Sequence, residues 1–244
     1  KVIEKARQEN FGVIYSDTDS VFLTLGTKSK KEALDFLKAV NRELPSLMEM
    51  EYENFYPRGI FVMKKGGTKG AKKKYALIDE KGEINVTGFE TVRGDWSLIA
   101  KEVQERVLEI ILREQNIDKA FSYAKEIIKK IERKEIPVEK MVIQKQMKKN
   151  IGEYENVGPH VEVAKRLQQR GETIEAGTVI KYIINEGKGI IRERAKSVDE
   201  TKNYDSEYYI HHQIIPAVIQ IFDVLGYTKE DFLGKTQSTL GDFS

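Results

Sequence analysis

Residues 11–15 and 20–25 are two short, mostly apolar runs separated only by the polar tetrad Ser16-Asp17-Thr18-Asp19. Runs of this length joined by turn-forming residues read as an antiparallel hairpin, with two carboxylates at its bend. A lone hairpin is marginal in water, so a neighbouring element must cover it. Over residues 30–48, Ala33, Leu34, Leu37, Val40 and Leu44 fall at helical spacing, with Pro45 near the expected end, and predict an amphipathic helix packed on the hairpin. Residues 55–63, 75–79 and 84–89 read as further strands, the last two joined by the turn Asp79-Glu80-Lys81-Gly82. Asp95 can cap a long helix whose stripe is Ile99, Val103, Val107 and Ile110 or Ile111. Beyond it come a helix over 117–133, a helix near 161–169, a strand over 179–184 and a last helix near 207–225. The expected class is α+β: an antiparallel sheet with helices in residues 1–94, a mainly helical unit over 95–233, and a small polar tail, 234–244.

Composition narrows the chemistry. Hydrophobic residues make up 40% of the chain, enough for a substantial core, and charged residues 33%. The absence of cysteine excludes a disulfide framework, a thiolate zinc site and a thiol nucleophile together. No apolar run approaches the ~20 residues of a membrane-spanning helix, so no membrane is expected among the partners. The net charge of +2 hides a local concentration, because residues 64–74 hold six lysines and no acid. A lysine run is ordinarily a solvated loop; it is also the footprint of phosphate contacts.

Asp17 and Asp19 suit a hard divalent cation, since Mg²⁺ takes oxygen ligands and is commonly held by one or two carboxylates together with substrate phosphates. An isolated Asp-x-Asp can equally be turn chemistry. A calcium loop is testable directly: with Asp17 in first place, Val21, Phe22 and Lys28 would fill the fifth, sixth and twelfth positions, where an oxygen ligand, a glycine and a glutamate are required. That possibility fails.

The segment Val13-Ile14-Tyr15-Ser16-Asp17-Thr18-Asp19-Ser20 resembles the Tyr-x-Asp-Thr-Asp-Ser motif on the palm hairpin of family B DNA polymerases. Lys72-Lys73-Lys74-Tyr75 is similar to that family's Lys-Lys-x-Tyr element. Gly88-Phe89-Glu90-Thr91-Val92-Arg93, followed by Asp95-Trp96-Ser97, looks like the segment leading into the thumb. Glu153-Tyr154, Gly158-Pro159-His160-Val161, and Tyr208-Tyr209-Ile210 through Ile215-Pro216-Ala217-Val218 continue the likeness in family order. The pattern is closest to the archaeal branch. It implies a partial palm in residues 1–94 and a thumb in 95–233.

In that family two metal ions promote nucleotidyl transfer. The resemblance implies that Asp19 ligates Mg²⁺ directly with Asp17 supporting it, and that Lys72, Lys73, Lys74 and Tyr75 approach primer-template DNA. Arg93, Tyr154 and His160 are carried over as further DNA contacts, although Gly94 stands where a second arginine is common. For Tyr154 and His160 the alternative is a buried hydroxyl and a histidine that satisfies a turn. The second palm aspartate, expected in an Asp-x-x-Ser-Leu-Tyr-Pro motif, does not occur in this sequence, nor does the fingers helix that holds the dNTP. The expected partner is therefore a large polymerase subunit or an N-terminal polymerase fragment completing the two-metal site, with the chain inactive alone and the assembly cytoplasmic and nucleoid-associated. In the tail, Gln237, Leu240 and Phe243 match the sliding-clamp box Gln-x-x-aliphatic-x-x-aromatic. The competing reading is a non-catalytic DNA-binding or clamp-tethering module descended from the same fold.

Overall fold

A computed structural model describes residues 1–17, 19–63 and 70–234. The clamp box at Gln237, Leu240 and Phe243 lies outside the described residues, as does Thr18.

The hairpin forms as expected. Its strands β1 (Gly12–Ser16) and β2 (Val21–Thr24) pair antiparallel, with Tyr15 opposite Phe22 and Ser16 opposite Val21. Helices α1 (Val2–Gln8) and α2 (Lys30–Asn41) cover one side of it, and Ala6, Phe11, Phe36 and Val40 form a small core there. Ser29 caps α2 in a reciprocal box: its hydroxyl accepts from the Glu32 amide at 3.2 Å while the Glu32 carboxylate accepts from the Ser29 amide at 2.7 Å. The buried stripe is rotated from the expected one. Phe36, stacked on Phe11 at 4.8 Å, goes inward, whereas Leu34 and Leu37 are half-buried. The helix also stops before Pro45, because the Asn41 side chain turns the chain back by donating to the Met50 carbonyl and accepting from its amide.

A second antiparallel sheet has the order β3 (Arg58–Met63), β4 (Gly70–Ile78), β5 (Ile84–Thr87). β4 begins five residues earlier than the apolar pattern indicates and so takes in Lys72, Lys73 and Lys74. Between β4 and β5 the Asp79 carboxylate accepts from the amides of Lys81 and Glu83, and Gly82 takes the left-handed φ of 83° that this turn requires.

The helical part opens with α3 (Leu98–Glu109), capped by Ser97 and not by Asp95. Asp95 is engaged elsewhere, as a partner of Arg93. Ile99, Val103 and Val107 are buried as the stripe predicts. The helix then widens into a π turn over Ile110–Glu114 before α4 (Ile117–Glu132) runs back along it. A third sheet pairs β6 (Ile143–Gln146) with β7 (Val179–Ile184), and β7 with β8 (Ala195–Ser197). It packs against α5 (Pro159–Gln169) and the short α6 (Ile191–Arg194). The last stretch is α7 (Ser206–Tyr209), a π turn over Ile210–Ile214, α8 (Ile215–Asp223) and α9 (Lys229–Phe232). Pro216 has no amide to offer the carbonyl four residues back, and the wider turn just before it, in which the Ile215 amide bonds to Ile210, accommodates that loss.

One apolar cluster runs through the second sheet and the helices together. It joins Ile60, Val62, Ala76 and Ile78 to Ile99, Val103, Ile128, Ile183, Tyr209, Val218 and Phe222. The lysine-bearing strand is thus built on the same core as α3, α4 and α8.

Candidate metal and nucleic-acid site

Asp17 and Asp19 sit at the tip of the first hairpin, where the Asp17 amide donates to the Ser20 carbonyl at 2.9 Å and closes the bend. Asp17 is half-buried and Asp19 exposed. The donor chemistry fits a hard divalent cation, being carboxylate oxygen on a single turn. Among the described residues no group of three or more His, Asp or Glu side chains could hold a metal. Asp17 and Asp19 would supply two carboxylates, the number with which Mg²⁺ is usually held alongside phosphates.

The hairpin does not stand free of the lysine strand. Tyr15 and Phe22, a cross-strand pair just behind the acidic bend, meet Phe61 and Tyr75, a cross-strand pair on β3 and β4. All four rings lie within 5.2 to 6.0 Å of one another, centroid to centroid. Every ring is half-buried, and their angles are tilted or edge-on, the arrangements ring quadrupoles favour. This four-ring joint couples the carboxylate turn to the strand of Lys72 and Lys73. Each ring was visible in the sequence only as one aromatic beside a turn; the joint depends on two hairpins meeting.

Lys74 differs from what its place in the lysine run implies. Its ammonium donates to both oxygens of Glu90, at 2.7 and 2.9 Å, and lies 5.0 Å from the centre of the Phe89 ring. The Lys74 and Glu90 side chains are only 11% and 7% exposed, so the Lys74 ammonium is engaged inside the protein. Gln104, fully buried on α3, also donates to Glu90, at 2.7 Å.

Arg93 is exposed and forks onto Asp95, Nε to Oδ1 at 3.1 Å and a terminal nitrogen to Oδ2 at 3.0 Å. Partial burial raises the Asp95 carboxyl, but the Arg93 fork and the nearby Lys145 outweigh it and hold the group below its ordinary range. Tyr154 is half-buried, and its hydroxyl accepts from the amides of Lys148 at 2.7 Å and Lys149 at 3.2 Å. It thereby fixes a bend whose two lysines are exposed. Lys148 and Lys149 are further candidate phosphate contacts, marked in the sequence only by their adjacency. His160 is 7% exposed and packs edge-on against Tyr154 at 5.8 Å. Burial first, then the positive charge of Lys145, pushes its imidazole down to about 4. At neutral pH His160 is an uncharged, inward-facing ring, the arrangement of the buried-histidine alternative.

The family described as DNA polymerase family B matches over residues 2–225. The chain belongs to family B of the DNA polymerases. It is 48% identical over 237 residues to the DNA polymerase of Thermococcus kodakarensis, covering 93% of this chain and 14% of that protein. With the DNA polymerase of Pyrococcus horikoshii it shares 45% over 240 residues, covering 95% of this chain and 19% of the relative. The fold matches the family B DNA polymerase from the hyperthermophilic archaeon Pyrobaculum calidifontis with a TM-score of 0.69 at 32% identity, over 93% of this chain and 28% of that one. The chain therefore spans less than a third of the length of each of these polymerases. No described helix is long and apolar enough to cross a membrane.

Proposed function

We propose that this chain is the acidic-turn and duplex-gripping part of a DNA-directed DNA polymerase, with residues 1–94 as the distal portion of the palm, 95–233 as the thumb and 234–244 as a clamp-binding tail. The observation that carries the reading is the four-ring joint, which holds the turn of Asp17 and Asp19 against the strand of Lys72 and Lys73. A carboxylate pair repels phosphate, and a module that only bound DNA would gain nothing by fixing one beside its lysines.

In this reading Asp19 is the direct Mg²⁺ ligand and Asp17 supports it. Bound Mg²⁺ would supply acidification of the primer 3′-hydroxyl and charge stabilisation at the α-phosphate of the dNTP. The chain's own residues do the rest of its share. Lys72 and Lys73 neutralise phosphates of the primer-template without reading sequence. Tyr75 anchors their strand in the joint, and the lysines of the bend pinned by Tyr154 extend the positive surface. The remaining palm carboxylate and the dNTP-holding fingers come from a large polymerase subunit or an N-terminal polymerase fragment, so the chain alone is inactive.

Primer extension by the purified chain, with and without that complementing polypeptide, tests this. The chain alone should incorporate nothing, and the complex should extend primers. Asp19→Ala in the complex should remove several kcal/mol of transition-state stabilisation, a loss of a thousandfold or more at about 1.4 kcal/mol per tenfold. Near-normal turnover by that variant would place the chemistry elsewhere.

A further inference from the structure

On the β5 side, β4 is laterally paired only from Tyr75 onward, Tyr75 with Thr87 through Ile78 with Ile84. On the β3 side the ladder pairs Phe61 with Tyr75 and then breaks register before Met63 and Gly70. Residues 71–74 thus have no register partner among the described residues, and this stretch of backbone carries Lys72 and Lys73. Lys74 stands at its root, tied by its ion pair to Glu90.

Burying an ion pair is costly, and well-packed apolar side chains often serve stability as well or better. Here the pair is elaborately completed. Gln104 uses its whole amide: it donates to Glu90 at 2.7 Å and to the Ala217 carbonyl on α8, and accepts from the Thr91 amide at 2.9 Å. A continuous polar path therefore runs from the root of the lysine stretch through Glu90 to α3 and α8.

We propose that Glu90 and Gln104 are positioning residues for the lysine strand. Acting through Lys74, they set the direction in which β4 carries Lys72 and Lys73 to the duplex, and they fix that direction relative to the α3–α8 pair. The inference rests on the reading of Lys72 and Lys73 as duplex contacts.

The test is duplex binding by the full 244-residue chain, followed against NaCl concentration on a primer-template DNA. Lys72→Ala/Lys73→Ala should lower the salt slope by about two, at roughly 0.9 for each phosphate no longer neutralised. Gln104→Met should lower both the affinity and the slope, and adding it to the lysine pair variant should weaken binding little further, since both act on the same phosphates. Lys74→Met/Glu90→Met leaves no buried charge behind, so it keeps the experiment decisive if Gln104→Met fails to fold. It should melt as cooperatively as the wild type and still show a reduced slope. A wild-type slope in the folded network variants, with the lysine pair variant impaired, would overturn the positioning role and leave the duplex reading intact. Effects that simply add would overturn it too. An unchanged slope in Lys72→Ala/Lys73→Ala would remove the duplex reading and the inference together.

Discussion

The ring of Tyr15, two residues before the first carboxylate of the hairpin, lies 5.9 Å from the ring of Tyr75, the residue that follows Lys74. Phe22 lies near both, at 6.0 and 5.2 Å, and near Phe61 at 5.4 Å, so it meets every other ring of the joint. Because the rings are half-buried, Phe22→Ala should cost about 2–3 kcal/mol, below the full range for a buried phenylalanine. Urea unfolding measures the cost, and hydrogen exchange locates it. Protection should fall together in β1, β2 and β4. A loss confined to β1 and β2 would mean that the rings touch without coupling.

Tyr209 is fully buried, and its hydroxyl donates to the Met141 carbonyl at 2.7 Å while accepting from the Ile184 amide at 3.1 Å. One oxygen thus ties the final helical stretch to the third sheet. Tyr209→Phe keeps the ring and strands two buried backbone groups, which should destabilise the chain by about 1–3 kcal/mol. A variant as stable as wild type would show that the backbone relaxes to satisfy them.

His160 makes stability depend on pH. Its folded value of about 4 lies below the roughly 6.5 of an unfolded histidine, so on acidification the unfolded chain takes up the proton first. The contribution is complete above the unfolded value, is lost as pH falls from about 6.5 to about 4, and changes no further below that. It amounts to no more than about 3 kcal/mol. Denaturant titrations of the wild type and His160→Phe across this window should differ in slope, the variant being flatter. Parallel curves would show that the imidazole becomes charged without cost.

Leu240 and Phe243 are three apart, so one helical turn would bring them onto a single face with Gln237 beside it. Ser244 replaces the usual second aromatic, and affinity for a sliding clamp should be modest, since aromatic anchors carry much of the energy of such interfaces. Leu240→Ala/Phe243→Ala should weaken clamp binding by about tenfold or more, about 1.4 kcal/mol. Equal binding and equal clamp-stimulated processivity would show that these residues form no clamp-binding box.

Local patterns carried the sequence reading a long way, and tertiary ones did not. β7 is found at its expected bounds because Val179, Ile180, Tyr182, Ile183 and Ile184 are strand formers in a nearly unbroken run. Its neighbours β6, Ile-Gln-Lys-Gln, and β8, Ala-Lys-Ser, have no such signal and are strands only because β7 lies between them. Neither π turn has a signature in the sequence, since the apolar stripe continues through both. Among the candidate site residues, Asp17, Asp19 and the lysines were legible as motifs. The internal fate of Lys74 was not: its partner Glu90 is brought to it by the return of β5, and Gln104 reaches Ala217 across 113 residues.

The buried pair of Lys74 and Glu90 also has a thermal consequence. Charged groups lose hydration free energy as temperature rises, while apolar burial gains little more per unit area, so the cost of keeping this pair out of water shrinks with heating. The balance of this internal lock therefore moves towards stabilisation in hot solution. The strand it anchors should keep its aim at temperatures where a surface ion pair, already in water, would have gained nothing comparable.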